Sequence, residues 1–357
     1  MATCEECIST CDQFVPYRSA SDFECFFDNE MAALRPHHSR ETDVLSKGLL
    51  GFIGRKTERR SSYNSRGYLR TWASLANRMS FQIAYAGLHA ACEHDDMEIL
   101  QRSLGQSARI SALFAELFES EEDHCRMFDS AIGALAAADQ NLLEKTLPYA
   151  LGLSKTGAPK GVACTNLLIG LWHSDDEALS TGVAQAEAWL QGKQKHSEAG
   201  EVRYLLALAH NNAADASAAL SELCRGLSLE REPYSSPAAK ALKHCMSQQV
   251  HGLYNLAVFV KGKDFADRLS LFEGYLFQPY IEYLKAHSFS CAEGQHFIFK
   301  GESQLINAMV DAIPITTIKQ ISAKAQEIDT VAFADDLLAS VQAKIGDMEQ
   351  FFRRYNP

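Results

Sequence analysis

The first residues able to do chemistry are three thiols: Cys4, Cys7 and Cys11 form C-x₂-C-x₃-C. With Cys25, His37 or His38 as a fourth ligand, such a group can hold zinc or an iron–sulfur cluster. The spacing matches no standard pair of ligand pairs, and on a helix all three thiols share one face, so they are expected to pack as small hydrophobes. Gly48-Leu-Leu-Gly-Phe-Ile-Gly54-Arg-Lys-Thr57 sets glycines before Lys56 and Thr57. A phosphate loop needs G-x₄-G-K-[ST] after a strand; here Arg55 intrudes and no strand precedes, so a flexible basic loop is expected. Twelve histidines include no H-E-x-x-H, and His89 and His94 stand five apart. There is no G-x-S-x-G elbow, and no cysteine carries a nucleophile signature. The expectation is a chain without catalytic residues, metal or cofactor; a site assembled across helices from His89, His94 and nearby acids is the enzymatic alternative.

Charge is the next signal. From Leu50 to Ser80, Arg55, Lys56, Arg59, Arg60, Arg66, Arg70 and Arg78 face only Glu58. Between Glu93 and Asp123 the sign reverses: Glu93, Asp95, Asp96, Glu98, Glu116, Glu119, Glu121, Glu122 and Asp123 stand against Arg102 and Arg109. Read blandly, both are solvated helix faces that partly pair with each other. Read sharply, the nine acids are a partner-binding surface that imitates a polyanion, because complementary charge speeds capture of a basic partner. The net charge of −11 opposes general affinity for nucleic acid or anionic membrane and favours a basic protein partner.

The elements that must carry these residues read as helices. Apolar residues make up 46% and charged residues 22% of the chain, as in ordinary globular proteins. Leu69, Trp72, Leu75, Met79 and Ile83 form one helical stripe, and Phe81, Tyr85 and Leu88 widen it to a second face. Ile110, Leu113, Phe114, Leu117 and Phe118 follow a core-facing pattern, as do Leu338, Val341, Ile345, Met348 and Phe352. Breakers with aspartate recur at Asp95/Asp96, Asp139, Asp175/Asp176, Asp215 and Asp264. Each is expected to cap the next helix, since a carboxylate there accepts the orphan amides of the first turn. The breakers lie about 36 to 49 residues apart, the size of one helical hairpin in a solenoid. The fold expected is all-α, stacked helical hairpins, TPR-like in style only. Residues 1–67 are expected to form an N-terminal helical arm and basic loop, and 68–357 the hairpin domain. Residues 288–302, with a strand-like run at His296–Phe299, are expected to be a β-turn excursion or a surface loop.

The longest uncharged apolar run, Val162 to Trp172, falls well short of the roughly 20 residues that span a bilayer. The opening MATCEECISTC lacks a basic n-region and apolar h-region. A cytoplasmic protein with reduced thiols is expected.

The stretch Thr71-Trp-Ala-Ser-Leu-Ala-Asn-Arg-Met-Ser-Phe-Gln-Ile-Ala-Tyr-Ala86, the acidic hairpins after it, and Asp175–Leu190 (DDEALSTGVAQAEAWL) resemble the Immunity-49 family of bacterial polymorphic-toxin systems. The similarity covers about Leu69 to Leu229. It implies an α-helical protein that protects the producing cell by binding a cognate toxin and occluding its active site, a basic-grooved nuclease being the attractive case. The competing expectation is a helical-repeat adaptor that binds a peptide or protein in a concave groove.

Overall fold

The computed structural model describes residues 2–34, 65–118, 121–229, 237–270, 274–322 and 324–346. In chain order these residues form α1 (Cys4–Phe14), α2 (Ala20–Leu34), α3 (Ser65–His94), α4 (Met97–Leu117), α5 (Phe128–Ala136), α6 (Gln140–Thr146), α7 (Pro159–His173) and α8 (Asp176–Leu190). There follow α9 (His196–Ala209), α10 (Ala213–Leu229), α11 (Pro237–Cys245), α12 (Gln248–Lys261), α13 (Lys263–Ala266), α14 (Gln278–Ala286) and α15 (Gln304–Asp311). One hairpin of β1 (Ile318–Ser322) and β2 (Ala325–Ile328), antiparallel with Ile318 opposite Ile328, precedes α16 (Thr330–Ile345). The all-α expectation holds, with helices packed as stacked hairpins α3/α4, α7/α8 and α9/α10.

One turn is used four times. α3, α5, α7 and α9 each end on a left-handed residue that is not glycine, respectively Asp95, Ala138, Ser174 and Asn211, all with φ between 52° and 56°. The next residue's amide bonds back five residues, to Ala91, Ala134, Gly170 and Ala207, closing a Schellman-type end. That same residue then caps the following helix: Asp96 accepts from Glu98 N (3.0 Å), Asp139 from Leu142 N (3.0 Å), and Asp175 from Glu177 and Ala178 N. In the fourth copy Asn212 does the work, accepting from Ala214 and Asp215 N.

Asp215 is therefore not the cap expected for α10. It lies one turn too far along, and its carboxylate accepts from Asn212 Nδ2 (2.6 Å). Asp264 is not a cap either: Gly262, with φ of 84°, both ends α12 and stands at the N-cap of α13 with no side-chain cap, and Asp264 sits in the first turn.

Glycines let two of the hairpins close tightly. A Cβ at Gly170 or Gly182 would lie 2.5 Å from Leu179 N or 2.6 Å from Leu167 N, across the α7/α8 seam. At Gly200 and Gly226 it would run into Leu223 N and Ser197 N, across α9/α10. Gly226→Ala is expected to cost about 1–3 kcal/mol because backbone must yield, read as a lower urea midpoint with unchanged slope. An unaltered midpoint would contradict the contact.

α1 and α2 join the same core as α3: Cys7, Cys11, Val15, Phe23, Phe27 and Met31 are buried with Leu69, Trp72 and Ile83. Of the expected basic loop, the segment from Arg55 to Arg60 and the glycine run before it lie outside the described residues, as do His37, His38, Met348 and Phe352. Residues 288–302 are not a detached loop. Phe297 and Phe299 turn inward while Ile298 stays 52% exposed, and their rings meet Phe23 and Phe27 of α2 edge-on at 5.1 and 5.4 Å. Among the described residues this run has a strand's alternation without a partner strand. Side-chain amides replace one: Gln106 bonds Phe297 N and O, and Asn307 bonds Phe299 N and O.

Candidate functional site

α4 decides the fate of the nine carboxylates. At 1.5 Å per residue its 21 residues separate its two ends by about 30 Å, so the acids that sequence groups together fall into two places.

At the C-terminal end the acids turn inward. Glu116 is fully buried and accepts from the Thr316 hydroxyl. Burial pushes its carboxyl up to about 8, against the lowering effects of Thr316 and Arg126. Asp123 is also fully buried and accepts five bonds: Cys125 N (2.9 Å), Ser154 Oγ (2.6 Å), Lys155 N (2.6 Å), Thr156 N (3.0 Å) and Gln326 Nε2 (3.0 Å). Burial works against its ionisation, but the bonds from Lys155, Ser154 and Cys125 outweigh it and hold the carboxyl below the usual range. Glu122 accepts from Ala158 N at 3.3 Å, Glu121 is exposed, and Glu119 lies outside the described residues. Glu116 and Asp123 thus belong to the interior, not to a docking surface; local sequence charge carries no sign of which carboxylates a loop will fold over.

Glu116 makes the protein pH-sensitive in a defined direction. Its folded value stands above the ordinary 4.5, so the native state holds the extra proton and stability falls as pH rises from about 4.5 to about 8. Glu116→Gln, which keeps an acceptor for Thr316, is expected to raise the melting temperature at pH 8 and to leave it nearly unchanged at pH 4.5. An equal shift at both values would contradict the assignment.

At the N-terminal end the acids face outward. Glu93, Asp95 and Asp96 are exposed, and Glu98 is half-buried and paired with Arg102. They occupy two helix ends joined by the left-handed Asp95 and the cap at Asp96, so the backbone beneath them is fixed. A chain of polar contacts ties this turn to the N-terminal helices: Asp12 Oδ1 takes Arg18 Nη1 (2.6 Å) and His89 Nε2 (3.2 Å), while His89 Nδ1 faces Glu93 at 3.7 Å. Beside it lies a recess of about 500 Å³ lined by Arg18, His89, Glu93, His94 and His296. Sequence reading singles out His89, His94 and Glu93; it misses Asp12, Arg18 and His296, which sit far away in the chain and arrive only through packing of α1 and of the segment before α15.

A second cavity, about 380 Å³, opens among α3, α5, α7, α9, α11 and α12, lined by Phe81, Tyr85, Asp129, Lys160, Lys243 and Gln249 among others. Behind Lys160 is the buried Glu201, which pairs with Lys160 and accepts from Gln249 Nε2 (2.5 Å). Burial raises the Glu201 carboxyl despite that cation. Among the described residues no three histidine, cysteine or acidic side chains are arranged to hold a metal ion, and no helix is long and apolar enough to cross a membrane. No protein-family model, curated protein or solved structure matches this chain.

Proposed function

We propose that this chain is an immunity protein that neutralises a secreted antibacterial toxin stoichiometrically, seating its α3–α4 turn against a basic groove of the toxin. The observation that carries the reading is the exposed carboxylate group Glu93, Asp95 and Asp96, with the half-buried Glu98 beside it, on a turn whose backbone is held by a Schellman end and an N-cap. A fixed acidic surface loses little conformational entropy on docking and attracts a cationic partner from a distance. The net charge of −11 adds a long-range field of the same sign. The likeness of Thr71–Ala86 and Asp175–Leu190 to the Immunity-49 family supports the same reading, and a nuclease is the toxin class whose groove must be basic. Occlusion needs no reacting group on the immunity protein.

Growth of cells that express the proposed cognate toxin, with and without this chain, tests the proposal. Restored growth together with a one-to-one complex of the purified proteins is expected. Continued killing at saturating expression of the chain would contradict it.

A further inference from the structure

The cavity of about 380 Å³ among α3, α5, α7, α9, α11 and α12 is backed by a charged group that packing does not require. Three helices bring Lys160, Glu201 and Gln249 together: Gln249 Nε2 donates to one Glu201 oxygen (2.5 Å), and Lys160 Nζ pairs with the other. Taking two charges out of water is costly, so apolar side chains of similar volume would hold these helices at least as well. The Glu201 side chain is 1% exposed, whereas that of Lys160 keeps 28% and lines the cavity. With both oxygens held, the carboxylate stays behind the ammonium. One Lys160 N–H is spent on Glu201, and two remain for another acceptor.

Two further features favour an anion. Lys243 lines the same cavity and supplies a second ammonium. Lys160, Ser197 and Ser247 stand at the starts of α7, α9 and α12, helices of 15, 14 and 14 residues whose N-terminal ends carry partial positive charge. The charge that the cavity accepts is nevertheless limited: Asp129 and Glu198 also line it and oppose a dianion such as phosphate. The rest of the wall is apolar. The rings of Phe81 and Tyr85 stand 4.5 Å apart, the Tyr85 hydroxyl is committed to Met246 O (2.6 Å), and Ile132 and Leu227 add aliphatic surface. Such a volume lies at the small end of ligand pockets.

We propose that this cavity binds a small monocarboxylate with an apolar body, its carboxylate on Lys160 and Lys243 and its body against Phe81, Tyr85, Ile132 and Leu227. The site is separate from the carboxylate turn: Tyr85 lies eight residues before Glu93 on α3, about 12 Å along the axis. Occupation of the cavity and capture of a toxin are therefore tested apart, and neither result decides the other.

The test follows the methyl resonances of Ile132 and Leu227 in the full chain as hydrocinnamate is added, with hydrocinnamyl alcohol and inorganic phosphate for comparison. Saturable shifts of both residues are expected, with a Kd on the order of 1 mM for an acid of this size. The alcohol keeps the apolar body and lacks the charge, so it is expected to bind about 10-fold more weakly. Phosphate is expected not to displace the acid. Lys243→Met is expected to weaken the acid about 10-fold and to leave the alcohol unchanged. Lys160→Met is combined with Glu201→Gln, so that no buried carboxylate loses its cation, and the same selective loss is expected. The wild-type comparison decides the matter even if a variant misfolds. Equal binding of acid and alcohol, displacement by phosphate, shifts confined to other methyl groups, or no saturable shift would overturn the proposal.

Discussion

Replacing Asp123 by alanine is expected to remove about 3–5 kcal/mol of folding stability, the range found when one partner of a buried charged network is lost. Five donors converge on this carboxylate, and they come from three parts of the chain: the turn after α4, the segment before α7, and β2 through Gln326. Alanine leaves the amides of Lys155 and Thr156 and the Ser154 hydroxyl without their acceptor. Asp123→Asn is expected to lose less, because one oxygen remains, while the new amide opposes the remaining donors. The folded carboxyl lies below the ordinary range, so its contribution is present above the unfolded value near 3.9 and is lost as pH falls through the folded one. The gap between wild type and Asp123→Ala in urea midpoint at pH 7 should therefore narrow in acid. A loss under 1 kcal/mol at pH 7 would mean that the network is solvated rather than sealed.

Much of the architecture is legible in the residues alone. The stripe Leu69 to Leu88 lies inside α3, Ile110 to Leu117 inside α4, and Asp96, Asp139 and Asp175 cap as expected. Local rules suffice there, since periodicity and capping depend on neighbours within a turn or two. Asp215 shows where they stop: Asn212 and Asp215 are both competent caps, and although asparagine suits the left-handed position that Asn211 takes, the adjacent Asn211 and Asn212 leave open which residue ends one helix and which caps the next. The hairpin β1/β2 is too short and too weakly alternating to register, with Ile321 exposed and a bulge between Gln320 and Ser322. The inward turn of Glu116 and Asp123 depends on Thr316, Ser154 and Gln326, which nothing in the local pattern couples to them. The thiol spacing shows that Cys4, Cys7 and Cys11 share a face; that this face meets α3, where Cys11 Sγ donates to Tyr85 O at 3.6 Å, is set by long-range packing.

The same division decides which carboxylates should matter for a basic partner. Changing Glu93→Lys, Asp95→Asn and Glu98→Lys alters the exposed group while leaving the Asp96 cap in place. Asparagine is chosen at position 95 because a lysine in the left-handed region would add strain. The lysine introduced at position 98 would stand beside Arg102, a like-charge pair costing a few tenths of a kcal/mol, so the fold should persist. The expected effect is on capture: an on-rate lower by roughly 10- to 100-fold at low salt, with the difference shrinking as the Debye length falls toward about 8 Å at physiological ionic strength.

Stopped-flow association of the proposed cognate toxin with the wild-type chain and with this triple variant, at low and at physiological salt, measures that directly. A slower, less salt-sensitive on-rate for the variant, with an unchanged melting temperature, is the predicted result. Equal on-rates at low salt, or no association of the wild-type chain at all, would contradict an immunity protein that docks through its α3–α4 turn.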